Sequence, residues 1–148
     1  MTTETMDPKK SNPMRKIDAE TNVITWFEIP VLDTARAKKF YETILDIEMQ
    51  TQYIEETRDE MTFFPSLPGV IQATSGRVTG VLLKNERSKP SSEGAIIYIN
   101  ANPSIDTVID KIEPAGGKVI LSKTQMRAGY FSIFLDTEGN RVALHAIA

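Results

Sequence analysis

His145 is the only imidazole in a chain of 148 residues, and the chain has no cysteine. Disulfide staples, thiolate nucleophiles and zinc–thiolate sites are therefore excluded. Divalent iron, nickel or zinc wants several imidazoles and carboxylates gathered together. One histidine falls short of that, so no metal ligand and no cofactor is expected. Glu28, Tyr98 and His145 are polar groups on the predicted strands, able to move a proton or anchor a ligand. A buried carboxylate near an imidazole makes a reasonable general base or hydrogen-bonding anchor, which makes Glu28 and His145 the catalytic candidates. Alternatively, Glu28 pairs internally with Tyr98 or Arg141, and His145 near a strand end is satisfied by backbone or water. Trp26 could stack on a planar ligand, as aromatic walls of small-molecule pockets do. Tyr53, Met61, Phe63, Phe64, Met126 and Tyr130 are further wall candidates, or plain core. Arg127, in a turn beside Ala128-Gly129, either closes over an anionic ligand or is solvated. No glycine-rich nucleotide motif is present, and Gly139 reads as a turn residue.

These residues need elements to hold them. Val23–Val31, aromatic and β-branched, predicts a strand, with Pro30 marking its end or an edge. Asp33 is a plausible N-cap for a helix whose Ala37, Phe40, Tyr41, Ile44 and Leu45 form a stripe that covers a sheet. Strands are expected around 48–57, 61–64 and 78–83. Residues 85–93 read as an exposed connector. The order then repeats. Gly94–Asn100 predicts a strand, and Ser104 can cap a helix with Ile105, Val108, Ile109 and Ile112 on one face. Pro114 and Gly116-Gly117 stop that helix. Strands follow near 118–123, 130–135 and 141–147, the last two joined by the turn Asp136–Asn140. The reading is an α+β domain of two βαβββ modules, at about 22–85 and 94–148, with connector 86–93.

Residues 1–21, rich in Thr, Lys, Pro, Asn and charge and without periodicity, are expected to be a flexible tail or an arm on a partner. The run Glu55–Glu60 reads as a wet hairpin. Apolar residues make up 41% of the chain and charged residues 25%, an ordinary globular mixture, and the net charge is −3. That balance argues against a broad nucleic-acid surface. No apolar run approaches the length of a membrane span. The N-terminus lacks the apolar stretch of a secretory signal, so a cytoplasmic location is expected.

Trp26-Phe27-Glu28-Ile29-Pro30-Val31 with Asp33, Arg36-Ala37 followed by Phe40-Tyr41, and Tyr98-Ile99-Asn100 form one set of landmarks. Ala115–Val119, Phe134–Asp136, Glu138–Val142 and Leu144-His145 complete it. In order and spacing they resemble the vicinal oxygen chelate superfamily of glyoxalase, bleomycin-resistance and extradiol-dioxygenase-like proteins. The resemblance is closest to small proteins described as related to lactoylglutathione lyase. It implies a glyoxalase-like fold, with paired modules curving a mixed sheet around a cup that commonly holds one divalent metal and a bidentate oxygen substrate. The family's ligand positions land on Trp26, near Ile96, on Ala143 and on the strand at 78–83, none of which supplies a strong ligand. If those positions face the cup, Trp26, Glu28, Ile96, Tyr98, Ala143 and His145 share its side. Trp26 then either stacks on a ligand or fills the space a metal would take.

Three functions follow from the resemblance and the residues. The first is a metal-free cup binding a small organic molecule, lined by Trp26, Tyr98, Tyr53, Phe64, Arg127 and Tyr130. The second is a metal-independent isomerase or lyase that uses Glu28 and His145 on a small carbonyl compound. The third is a structural or regulatory partner. A homodimer is expected, because short strands leave edges to cover. The modules pair either within one chain or across that dimer.

Overall fold

A computed structural model describes residues 15–148. Residues 1–14 of the expected tail lie outside it. In the rest of that segment Arg15 pairs with Asp18 at 3.1 Å. Asn22 joins the loop at 72–76, its backbone N–H donating to Ala73 O at 2.9 Å and its side-chain amide to Gln72 O.

The first module runs β1 (Trp26–Pro30), α1 (Thr34–Leu45), β2 (Gln50–Ile54), β3 (Asp59–Phe63) and β4 (Thr79–Lys84). The second runs β5 (Tyr98–Asn100), α2 (Ile105–Ile112), β6 (Lys118–Met126), β7 (Gly129–Leu135) and β8 (Arg141–Ala146). Each module is a four-stranded mixed sheet, ordered β1-β4-β3-β2 and β5-β8-β7-β6. In each, the first strand lies parallel to the last at one edge, and the other pairs are antiparallel. This is the α+β architecture of paired βαβββ modules expected from the sequence.

Local chemistry explains most boundaries. Asp33 caps α1 as expected, its carboxylate accepting the Arg36 N–H at 3.0 Å. The helix ends on Asp46, which adopts the left-handed conformation at φ 55°. Ser104 occupies the N-cap position of α2, but its side chain makes no capping bond. Two strands are shorter than expected. β1 begins at Trp26, since Val23 and Ile24 are exposed, and β5 keeps only three residues after the turn at Gly94. β6 is longer than expected and reaches Met126 through two register shifts, which let it continue past irregular pairing with β7.

The two helices pack together and cover one face of both sheets. The core joins Phe40, Tyr41 and Ile44 of α1 and Ile105 and Ile112 of α2 to Ile29, Leu82, Phe134 and Leu144 from the strands. Gly80 of β4 passes so close to β1 that a Cβ there would lie 2.1 Å from Phe27 O. Only glycine allows that approach.

A buried polar latch locks the modules at one end. The Tyr41 hydroxyl donates to Asp136 at 2.7 Å, and Asp136 also accepts the backbone N–H groups of Glu138 and Asn140. The Asn140 amide donates to Pro30 O at 2.7 Å, and its Oδ1 accepts from Ser91 N. Glu138 crosses to the β1–α1 loop, accepting from the N–H groups of Leu32 (2.8 Å) and Asp33 (2.9 Å). Its second oxygen takes Arg36 Nε at 2.7 Å, with the glutamate side chain wholly buried. Burial alone would push the Glu138 carboxyl up. The Arg36 bond, then those from Asp33, Leu32 and Thr137, outweigh it and hold the group at about 2. Burial, then the charge and hydrogen bond of Asp136, raise the Tyr41 hydroxyl well above its ordinary range.

Candidate functional site

Strand pairing decides which side chains share a face. Residues directly opposite one another across a ladder point to the same side. Trp26, Glu28, Val81 and Phe63 therefore share the face of the first sheet turned away from α1. Tyr98, Ala143, His145, Phe131 and Ile133 share the matching face of the second. Each face carries an aromatic pair, Trp26 with Phe63 (ring centroids 6.3 Å) and Tyr98 with Phe131 (6.2 Å). Pro30 pairs with Leu83 as Asn100 pairs with His145, so Trp26 corresponds to Ile96 in the other module.

Three of the expected wall residues lie on the helix-covered sides instead. Phe64 is 7% exposed and packs on Phe27 and Tyr41. Tyr53 sits opposite Glu60 on the edge strand β2, largely exposed. Tyr130 sits opposite Ala146, packs on the core and carries Lys123 over its ring at 4.5 Å. Alternation is the reason: each is one residue out of step with its neighbours on the other face, as with Phe63 and Phe64. Arg127 is exposed in the β6–β7 turn.

Glu28 and His145 open on different pockets. Glu28 lines a cavity of 160 Å³ with Lys89, Glu93 and Arg141. Its carboxylate takes the Trp26 indole N–H at 3.2 Å, rather than Tyr98 or Arg141. Arg141 donates instead to Gly94 O at 2.6 Å, and its Nε is buried without a partner among the described residues. His145 lines a second pocket of 380 Å³ with Tyr98, Asn100, Asn102 and Met126. Its Nε2 lies 2.6 Å from Ala128 O. A carbonyl only accepts, so Nε2 carries the proton.

An apolar groove of 750 Å³, larger than the pockets of Glu28 and His145, runs along the seam between the modules. Phe27, Leu45, Ile47, Phe64 and Val78 form one wall, and the consecutive residues Ile96–Asn100 form the other. Because five successive residues of one strand region line it, the groove runs along the outer edge of β5, the side away from β8. Among the described residues no formal charge lines it. Phe64 and Tyr98, both expected at a ligand wall, border it. Asn100 was not among the expected ligand contacts, although it belongs to the Tyr98-Ile99-Asn100 landmark.

The positions where this fold would hold a divalent metal do not fit one. Trp26, Ile96 and Ala143 carry no donor oxygen or imidazole, and β4 offers Thr79, Val81 and Leu83 on that face. The Thr79 hydroxyl already donates to Pro65 O at 2.9 Å. Among the described residues no three acidic or histidine side chains cluster as metal ligands. None of the described helices is long and apolar enough to cross a membrane.

Many solved structures share this fold. An antibiotic-binding protein from Streptomyces matches at 18% identity, covering 86% of this chain and 97% of that one, with TM-score 0.58. The trypanothione-dependent glyoxalase I of Leishmania major matches at 16% identity over 85% and 87% of the two chains, with TM-score 0.60. Glyoxalase I from Zea mays matches at 14% identity and TM-score 0.54, covering 83% of this chain but only 45% of that enzyme. No curated protein shows significant sequence similarity. The profile of the glyoxalase/bleomycin resistance protein/dioxygenase superfamily matches residues 23–144, spanning both modules and the latch between them. The chain belongs to that superfamily.

Proposed function

We propose that the protein binds a small organic molecule in the groove at the module seam, without a metal. The observation that carries this reading is the groove itself. Its 750 Å³ volume falls within the roughly 300–1,000 Å³ of small-molecule sites, and its walls are apolar with a few polar groups at the rim. The antibiotic-binding relative has the same fold and supports a binding role. Donor-poor ligand positions at Trp26, Ile96 and Ala143 argue against the metal-assisted chemistry of glyoxalases in this chain. The separate pockets of Glu28 and His145 favour binding over proton transfer between them.

A cytoplasmic homodimer belongs to this reading. The edge strands β2 and β6 and the exposed Trp26 are surfaces a second copy would cover. Nile red, uncharged and apolar, is a suitable probe for the groove. Its fluorescence should rise and shift to the blue with the full-length protein at one site per chain. Val78→Trp, at the mouth of the groove and outside the core, should weaken binding at least ten-fold. Absence of binding, or binding that Val78→Trp leaves unchanged, would overturn the assignment. Sedimentation of the same samples reports whether two copies associate.

A further inference from the structure

The cavity beside the latch carries a charge pattern that the groove lacks. Four charged residues line it: Glu28 of β1, Arg141 of β8, and Lys89 and Glu93 of the connector between the modules. Two are negative and two positive, yet no ion pair among the described residues joins any two of them. Register places Glu28 on the face of Trp26, and Arg141 alternates with Ala143 and His145. Both strands therefore turn their charge away from the helices. Glu28 bonds only the neutral indole of Trp26, which leaves its charge uncompensated. The Arg141 guanidinium carries several N–H donors, of which one engages Gly94 O while Nε has no partner among the described residues. The protein thus leaves bonding capacity of both signs unused around one cavity.

A simple anion there meets Glu28 and Glu93 as well as the two cations, and a simple cation meets Arg141 and Lys89. A zwitterion matches both signs at once. Size narrows the class. At about 30 Å³ per water, the 160 Å³ cavity has room for about five waters, or a molecule of about six non-hydrogen atoms. We propose that this cavity is a second ligand site, separate from the groove, and that it takes a small α-amino acid. The carboxylate lies on Arg141 and Lys89, and the ammonium on Glu28 and Glu93.

L-Alanine, L-lactate and isopropylamine share a three-carbon frame and carry both charges, the anion alone and the cation alone. Each is titrated into the isotope-labelled full-length protein, with the backbone amide resonances of Ile29, Gly94, Ala95 and Arg141 reporting on the cavity. An exposed ion pair is worth up to about five-fold in affinity, so alanine should bind about five-fold tighter than either analogue. Glu28→Gln keeps an oxygen for the Trp26 indole and removes the charge. It should cost alanine about five-fold and leave lactate no weaker. Lys89→Gln, at an exposed connector position, should weaken alanine and lactate by about the same factor and leave isopropylamine no weaker. A merely structural role for these side chains would not split the analogues in this way. Alanine binding no tighter than its analogues, amide shifts confined to other parts of the protein, or an alanine affinity that either substitution leaves unchanged would overturn the assignment. Neither substitution lies on the groove walls, so failure here leaves the groove reading to its own test.

Discussion

Replacing Glu138 with glutamine tests whether the latch between the modules is electrostatic. Glutamine keeps the shape and leaves one carbonyl oxygen for the Leu32 and Asp33 N–H groups. It loses the charge and turns an NH₂ toward Arg36. The Glu138 carboxyl falls from an ordinary 4.5 to about 2 on folding. At about 1.4 kcal/mol per pKa unit, that difference corresponds to roughly 3 kcal/mol of stability. Arg36 is 50% exposed, so solvent screening trims its share and leaves about 2–3 kcal/mol. With a urea slope near 1.5 kcal/mol/M, Glu138→Gln should lower the midpoint at pH 7 by roughly 1–2 M. The group is depressed in the folded state, so its contribution is complete above about 4.5 and fades as pH falls toward about 2. More than half of the wild-type advantage should be gone by about pH 3 and nearly all of it by about pH 2. Other carboxylates titrate in both proteins and cancel from the difference. Equal midpoints at pH 7, or a gap that stays constant on acidification, would refute the argument.

Other perturbations follow from single observations. Gly80→Ala forces a methyl against Phe27 O, where 2.1 Å is available, and should cost about 2–4 kcal/mol, read as a lower thermal midpoint. Asp46→Gly should stabilise the protein by about 0.5–1 kcal/mol in chemical denaturation. It relieves a left-handed aspartate at φ 55° and removes a negative charge from the C-terminal end of α1, whose last turn holds no basic residue. A ligand seated on both walls of the groove binds only the docked modules. At about 100 times its Kd it should therefore raise stability by about 2.7 kcal/mol, enough to restore most of what Glu138→Gln removes. An unchanged melting temperature on saturation would place the ligand elsewhere.

The elements and their order were legible because hydrophobic period and capping chemistry are local. The α1 stripe from Ala37 to Leu45 and the Asp33 cap both hold in the structure. The side of a sheet on which an aromatic lands was less legible, because it depends on register. Alternation places Phe63 beside Trp26 and sends Phe64 into the core, and nothing in two adjacent phenylalanines says which is which. Tyr53 and Tyr130 were on the uninformative side of the same ambiguity. The shifts in β6 were illegible for a related reason: a bulge is set by the partner strand, not by the bulged one. Asp136–Asn140 was readable as a turn but not as a latch, since Glu138 and Asn140 meet partners about a hundred residues earlier in the chain.

That distance matters to the function proposed. The latch ties the β7–β8 turn to the loop after β1, and the groove lies along the same seam, where β1 and the outer edge of β5 come together. Phe27 precedes Pro30 by three residues, so the contact that Asn140 makes with Pro30 O helps set where the Phe27 wall stands against Ile97. The latch gathers buried polar groups at one end of the seam, while the groove walls are apolar. A cavity lined from two modules keeps its width only if their docking is rigid. A buried network with nearly every lone pair engaged supplies that rigidity better than apolar contact alone, because it fixes orientation as well as distance. The most strongly shifted carboxyl among the described residues therefore has a structural role beside the proposed binding site, and its perturbation is not evidence of catalysis at Glu138.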